Sequence, residues 1–253
     1  MNKKILIMMN SRISAAAALL SLLPLAALAE SPTRAIDWTG GHLTFYGGHA
    51  RSNTFATDIT GEEYGTSDPG ETMSLDTDDL HLGLAAGYDL QRGNIVYGGA
   101  FELGRINNQG LAHEPERAGD TVGALLTAFD TYMSLTGRIG YARDRNLFFV
   151  KAGVIRAKLR NAGGEFDGIG EEGSDGIWGF DGDEAGFGDE SRNGYVLGLG
   201  FEHAISQRVT LTGEYNYADF GTATYGHVNG DMSAPFSFKN ELHLFKFGLS
   251  YKF

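Results

Sequence analysis

Cysteine is absent from the 253-residue sequence, so disulfides, thiolate nucleophiles and thiolate metal sites are all excluded. After residue 29 the chain also lacks any run close to the roughly 18 apolar residues that a membrane helix requires. If it crosses a membrane it must use strands, the other structure that satisfies every backbone polar group without water. Cations are scarce as well: 20 Lys and Arg stand against 32 Asp and Glu. Three of those cations, Lys3, Lys4 and Arg12, fall in the first 29 residues, which carry no acid, so the remainder holds 17 against 32 and a net charge of −15. That balance argues against nucleic acid as a partner.

What is present begins with an export signal. The three cations are followed by an apolar stretch from Ile13 rich in Ala and Leu, and Ala27-Leu28-Ala29 offers a small-x-small cleavage site before Glu30. Residues 1–29 are expected to be a cleaved secretory signal peptide, leaving 30–253 as one domain. In an oxidising periplasm the lack of cysteine avoids mispairing before assembly. Glycine, with 37 residues, is about twice as common as its roughly 7% average. It lies inside alternating apolar segments, where it permits strand bending and leaves room in a narrow lumen.

Amphipathic runs of period two recur eight times, at about 40–53, 78–90, 95–106, 131–142, 147–159, 194–205, 209–220 and 241–253. The last alternates Phe245, Phe247, Leu249, Tyr251 and Phe253 with Lys246, Gly248, Ser250 and Lys252, one face suited to lipid and the other to water. Short connections fall at Gln91-Arg92-Gly93-Asn94, Arg143-Asp144-Arg145-Asn146 and Ser206-Gln207-Arg208. Long ones run over about 54–77, 107–130, 160–193 and 221–240. The expected class is all-β: an eight-stranded antiparallel up-and-down transmembrane β-barrel of a Gram-negative outer membrane, with short periplasmic turns and long extracellular loops.

The alternation directs Leu80, Leu82, Leu84, Tyr97, Phe101, Leu135, Ile139, Leu197, Leu199, Leu211 and Tyr215 toward lipid. Tyr88, Tyr97, Tyr141, Phe148, Tyr251 and Phe253 would form the periplasmic aromatic girdle. The opposite parity carries Asp89, Glu102, Arg138, Lys151, Glu202, Glu214, Asn216 and Lys246. Eight strands enclose a space that side chains nearly fill, so these charges are expected to form an ion-paired, hydrated plug in the lumen. Near the extracellular strand ends stand Arg51, Arg105, Arg156, Lys158, Arg160 and Lys239, most of them turned outward. That is the level of lipopolysaccharide phosphates, which guanidinium groups can bind bidentately.

Several segments carry a family resemblance. They are Trp38-Thr39-Gly40, Gly87-Tyr88-Asp89-Leu90 with Gly98-Gly99-Ala100-Phe101-Glu102, and Thr136-Gly137-Arg138-Ile139-Gly140-Tyr141-Ala142. Gly198-Leu199-Gly200-Phe201-Glu202, Gly213 to Gly221 and the closing Gly248-Leu249-Ser250-Tyr251-Lys252-Phe253 continue it. In this order they resemble the porin-family outer-membrane immunogenic proteins of alphaproteobacteria, within the OmpA-like and opacity-protein group of eight-stranded barrels. Gly41-His42-Leu43-Thr44 and the acidic stretch at 160–193 depart from the family pattern. The resemblance implies a surface-exposed, abundant envelope protein, with small pores or haemin binding in some members and no common active site; a non-enzymatic contribution to envelope integrity is the expected role. Tyr251 and Phe253, in the last strand, are expected to be an assembly signal for the barrel assembly machinery.

Sites that could carry chemistry are few, and no cofactor is expected. Between Asn161 and Ser191 the chain holds ten Asp and Glu and no cation, but an EF-hand frame starting at Asp181 places Ala185 at the fifth position and Arg192 at the twelfth, so it fails. A solvated acidic loop is the expectation there. Ile177, Trp178, Phe180 and Phe187 in that stretch either contact a host surface or another envelope component, or fold back onto the barrel rim. His113, His227 and His243, near the extracellular side, are the residues that could ligate haem iron. A lipid A-modifying enzyme would need a His-Ser pair near the outer leaflet; His203 and Ser206, beside Glu202, fall at a periplasmic turn instead. A narrow pore for ions or small solutes is the main alternative to a structural barrel.

Overall fold

The computed structural model describes residues 36–61, 69–113, 123–166, 179–227, 230, 232 and 235–253; the expected signal peptide lies outside them. Eight strands follow one another: β1 (Gly40–Asp58), β2 (Thr72–Arg92), β3 (Ile95–His113), β4 (Gly123–Arg143), β5 (Asn146–Phe166), β6 (Phe180–Ala204), β7 (Val209–Tyr225) and β8 (Phe236–Lys252). Each pairs antiparallel with its chain neighbours, and β1 also pairs with β8, closing the barrel. Two of the tight turns begin with a residue at positive φ, Gly93 (61°) and Asp144 (56°), the geometry that a twisted two-residue hairpin demands. In the third, Ser206 Oγ accepts hydrogen bonds from the backbone of Arg208 and Val209.

The period-two alternation sets which face is wet. On β2 the outward positions Leu80, Leu82, Leu84, Ala86, Tyr88 and Leu90 are apolar, whereas Thr72, Ser74, Asp76 and Asp78 above them are polar. On β5 the switch comes between Val154 and Arg156, and on β8 between Phe245 and Glu241. Every residue assigned to lipid from the alternation faces outward. The switch falls at a common level round the wall and bounds an apolar band that needs only about 9–11 residues of each tilted strand. The strands, 17 to 25 residues long, therefore continue well beyond it.

Above that level the barrel divides. Pairing of β2 with β3 ends at His81↔Ile106, and pairing of β6 with β7 ends at Tyr195↔Asp219. The other ladders continue, for example to Thr57↔Thr72 between β1 and β2, and to Phe166↔Phe180 between β5 and β6. The upper half is thus two four-stranded sheets, β7-β8-β1-β2 and β3-β4-β5-β6, facing each other. Arg192 crosses one gap, donating to the Phe220 carbonyl at 2.7 Å and to Asn240 Oδ1 at 3.2 Å. Asn108 crosses the other to the Thr77 carbonyl at 3.2 Å.

These extensions correct the expected long loops. Residues assigned to loops at 54–58, 72–77, 107–113, 123–130, 160–166, 180–193, 221–225 and 236–240 are strand. The acidic stretch in particular is largely a β5–β6 ribbon, with Asn161 opposite Gly188 and Gly163 opposite Gly186. Its Phe180 and Phe187 pack with Ala124, Leu126, Ala162 and Phe166, so they fold back on the rim; Ile177 and Trp178 lie outside the described residues. Ladder hydrogen bonds, not side-chain propensity, hold this glycine-rich ribbon in strand form.

The seam between β1 and β8 leaves one position no room. A Cβ on Gly48 would overlap the Phe245 carbonyl, while one on Gly137 would meet its nearest neighbour at an ordinary 3.9 Å. Gly48→Ala should destabilise the barrel by about 1–3 kcal/mol, read as reduced heat-resistant mobility in detergent gels and a lower denaturant midpoint. Gly137→Ala should stay within about 0.5 kcal/mol of the parent. Equal effects would show that the seam tolerates a side chain.

Candidate functional site

The inward face of β8 reads the lumen as a stack. From the short-turn end it presents Ser250, Gly248 and Lys246, then Leu244 and Leu242, then Asn240, then Phe238 and Phe236. The neighbouring strands supply matching layers. At the short-turn end Ile36 and Trp38, just before β1, pack on Val96, Ala142, Leu147, Phe149 and Ala204, and the Trp38 amide donates to Gln91 Oε1. Above the charged level lies a larger apolar layer containing Ile106, Phe129, Ile155, Leu159, Phe220, Leu242 and Leu244.

Between these two apolar layers sit all seven inward charged residues singled out in the sequence. They form two clusters. In the lower one, Arg138 donates in bidentate fashion to Asp89, Nε to Oδ1 at 2.9 Å and Nη2 to Oδ2 at 2.5 Å, and its Nη1 reaches Glu202 at 2.6 Å. Phe149 stacks beneath the guanidinium at 4.9 Å, and His42 Nδ1 lies 3.3 Å from Asp89. In the upper one, Lys151 and Lys246 each hold one oxygen of Glu102 at 2.5 Å. Both also reach Glu214, at 2.6 and 3.4 Å. The charges balance in this cluster, two against two.

The rest of the site had no signal in sequence spacing. Tyr46 and Tyr132 join their hydroxyls at 3.0 Å, and the Lys246 ammonium lies 4.6 Å from the Tyr46 ring centre, a cation–π contact. Higher up, Thr54, Thr127, Asn161 and Asn240 close a hydrogen-bonded ring of 3.0–3.2 Å contacts. Two of its members belong to each upper sheet, so the ring ties the sheets together. His42 stands in the segment that departed from the family pattern; its partner Asp89 is 47 residues away in sequence.

A cavity of about 40 Å³ remains at the charged level, lined by Glu102, Arg138, Lys151, Glu202, Glu214 and Lys246 among others. That is room for water, which needs about 10–15 Å³ of such volume per molecule, and not for a solute. Among the described residues no group of three or more His, Asp or Glu could hold a metal ion. His243 turns outward onto the Tyr215 hydroxyl at 2.8 Å, His113 stacks on Phe166, and His227 is buried, so the three histidines share no site. Glu202 faces Arg138 while His203 points out to Asn146 and Ser206 caps its turn; these are no triad.

The six outward cations are bound unequally. Arg51 donates to Asp76 and Lys239 to Glu241, each at 2.6 Å, and in both cases that hydrogen bond holds the cation's pKa above its ordinary value. Arg105 reaches Asp130 only at 3.7 Å and Lys158 reaches Asp189 at 3.5 Å. Arg156 donates to the neutral amide of Asn193 at 3.1 Å, and Arg160 also has a partner. At the chain end, Phe253 is exposed, with the Tyr251 ring 5.5 Å away edge-on.

A closed eight-stranded wall, apolar outside and charged within, defines a transmembrane β-barrel. Comparison with known proteins gives the family: residues 15–253 match the outer membrane protein beta-barrel domain, and the chain belongs to that family. It is an outer-membrane protein, and its tight turns are periplasmic and its two-sheet half extracellular. It is 25% identical over 228 residues to the 31 kDa outer-membrane immunogenic protein of Brucella melitensis, covering 88% of this chain and 87% of that one. It is 26% identical over 171 residues to the 22 kDa outer membrane protein of Rhizobium leguminosarum, covering 66% and 63%. Among solved structures it is similar to the outer membrane protein OprG from Pseudomonas aeruginosa, with a TM-score of 0.44, 14% identity, and 85% and 97% of the two chains covered.

The lower cluster has one permanent cation for two buried carboxylates, whereas the upper has two. Arg138→Met should therefore cost about 3–5 kcal/mol of unfolding free energy, the scale for stranding buried partners. Lys151→Met should cost less, because Lys246 still reaches both Glu102 and Glu214. Denaturant titration in lipid vesicles ranks the two; the reverse order would remove Arg138 from its place as the central cation.

Proposed function

We propose that this protein is a non-enzymatic, non-conducting barrel that contributes to envelope integrity and presents its two-sheet upper half at the cell surface. The observation that carries the reading is the layered lumen. A charged level with space for little more than water is enclosed by an apolar layer on each side. Ions crossing it would have to leave their hydration shells twice, at a cost of several kcal/mol each time. The narrow pore is therefore the weaker reading. Haemin binding through His113, His227 and His243 draws no support from their separate positions, and among the described residues no His-Ser arrangement supports lipid A modification.

The same reading includes processing and assembly. Residues 1–29 are removed at Ala27-Leu28-Ala29 during export, and Tyr251 with Phe253 serves as the signal for the barrel assembly machinery. The extracellular half, with its exposed Asp76, Asp78, Asp189 and Glu190, is the surface available to a host ligand.

Refolded protein in a planar bilayer should stay electrically silent, and the chain recovered from outer membranes should begin at Glu30. Reproducible single-channel steps would overturn the non-conducting reading. An amino terminus at Met1 would overturn the processing.

A further inference from the structure

Two of the wall's bulges lie side by side, at the upper edge of its lipid-facing band. β3 carries an extra residue against β4 between Arg105 and Asn108, and β4 carries one against β5 between Phe129 and Tyr132. Bulges bend a strand, steepen its twist and re-aim its side chains. These two lie beside the point where β2 and β3 part, at His81↔Ile106. The outer surface there is hollowed into a groove of about 460 Å³. Its floor includes Leu82, Leu103 and Met133, continuous with the lipid-facing belt, and its upper rim carries Arg105, Arg156 and Lys158.

All three hold a carboxylate less closely than Arg51 and Lys239 do. Arg51 and Lys239, away from the groove, are each closed by an acid at 2.6 Å. Around the groove the acids stand off at 3.5 and 3.7 Å, and Arg156 donates to a neutral amide. Three cations against two loosely held acids leave the rim positive on a chain that is otherwise strongly acidic. Arg105 and Arg156 are two strands apart, about 10 Å at ordinary strand spacing, which lets two long side chains converge on one anion between them.

We propose that this groove binds a phosphorylated lipid of the outer leaflet, with its acyl chain along Leu82, Leu103 and Met133 and its phosphate held by Arg105, Arg156 and Lys158. The proposal rests on the membrane-barrel reading above. It narrows the six outward cations to three and pairs them with an apolar floor that a free phosphate could not use. Guanidinium suits the task because it forms two parallel hydrogen bonds to one phosphate.

The test uses the full mature chain in phosphocholine nanodiscs containing either bis-phosphorylated lipid A or its dephosphorylated form, with bound lipid counted by native mass spectrometry. The triple variant Arg105→Gln, Arg156→Gln, Lys158→Gln should lose about tenfold in lipid A retention, as expected when charge-assisted bidentate bonds are removed. The control Arg51→Gln, Lys239→Gln should stay within about twofold, since its cations are already paired with acids at 2.6 Å. Wild type should retain the dephosphorylated lipid as poorly as the triple variant retains lipid A. If the triple variant does not fold, Arg156→Gln alone, which gives up one bond to Asn193, should still lower retention about threefold.

Equal loss in the control, or equal retention of the dephosphorylated lipid, would overturn the site. Inorganic phosphate displacing the lipid fully would overturn the assignment to a lipid. A variant that shows heat-modifiable mobility yet keeps lipid A refutes the groove alone. Wild type that fails to insert into nanodiscs refutes the barrel reading on which it rests.

Discussion

Within hydrocarbon no water can accept or donate a backbone hydrogen bond, and the whole structure follows from that constraint. Eight strands closed through the β1–β8 seam satisfy every ladder, but closure encloses a lumen that must itself be filled. Side chains fill it in layers, and the charged layer is the consequence of threading a water-compatible face through a membrane. Its carboxylates and cations are tolerable because each touches a partner of opposite sign: Arg138 serves Asp89 and Glu202, and Lys151 and Lys246 serve Glu102 and Glu214. Such a network adds little net stability over an apolar core, yet it is expensive to break at one point.

The same constraint explains why the barrel divides above the membrane. Once outside hydrocarbon, backbone groups at the β2–β3 and β6–β7 gaps can turn to side chains. Arg192 and Asn108 take over there from the ladder. The two sheets then resemble a sandwich, closed by the Thr54-Thr127-Asn161-Asn240 ring and by Ala56, Leu125, Phe236 and Phe238. Among the described residues, a hydrogen-bonded extracellular half is thereby built directly on the membrane wall.

The parts of this arrangement that lie in hydrocarbon were legible in the sequence. There the outward face is apolar and the inward face polar, so Leu80 to Leu90 and Phe245 to Phe253 declare both strand and orientation. Above the boundary the outward face turns polar while inward Met73 and Leu75 stay apolar, and the segment Thr72 to Asp78 reads like a loop with scattered hydrophobes. The β5–β6 ribbon is harder still, because glycine and acid dominate both its faces and its strand form comes from pairing. The charged residues were visible by parity, but their division into two clusters depends on register. The Asn161–Asn240 bond joins residues 79 apart, a separation that no local spacing can announce. Likewise, the unequal pairing of the outward cations emerges only when Asp76, Asp130, Asp189 and Asn193 are set beside them.

Enclosure between two apolar layers should put the charged level out of reach from either side of the membrane. Because the chain has no native thiol, a single cysteine can report on it without interference. Thr136, which lines the central cavity, replaced by Cys in the folded, membrane-inserted protein should resist a small cationic methanethiosulfonate added from either side. Cysteine at exposed Ser74 should react at once. Rapid modification of the Thr136 position from either face would contradict the seal.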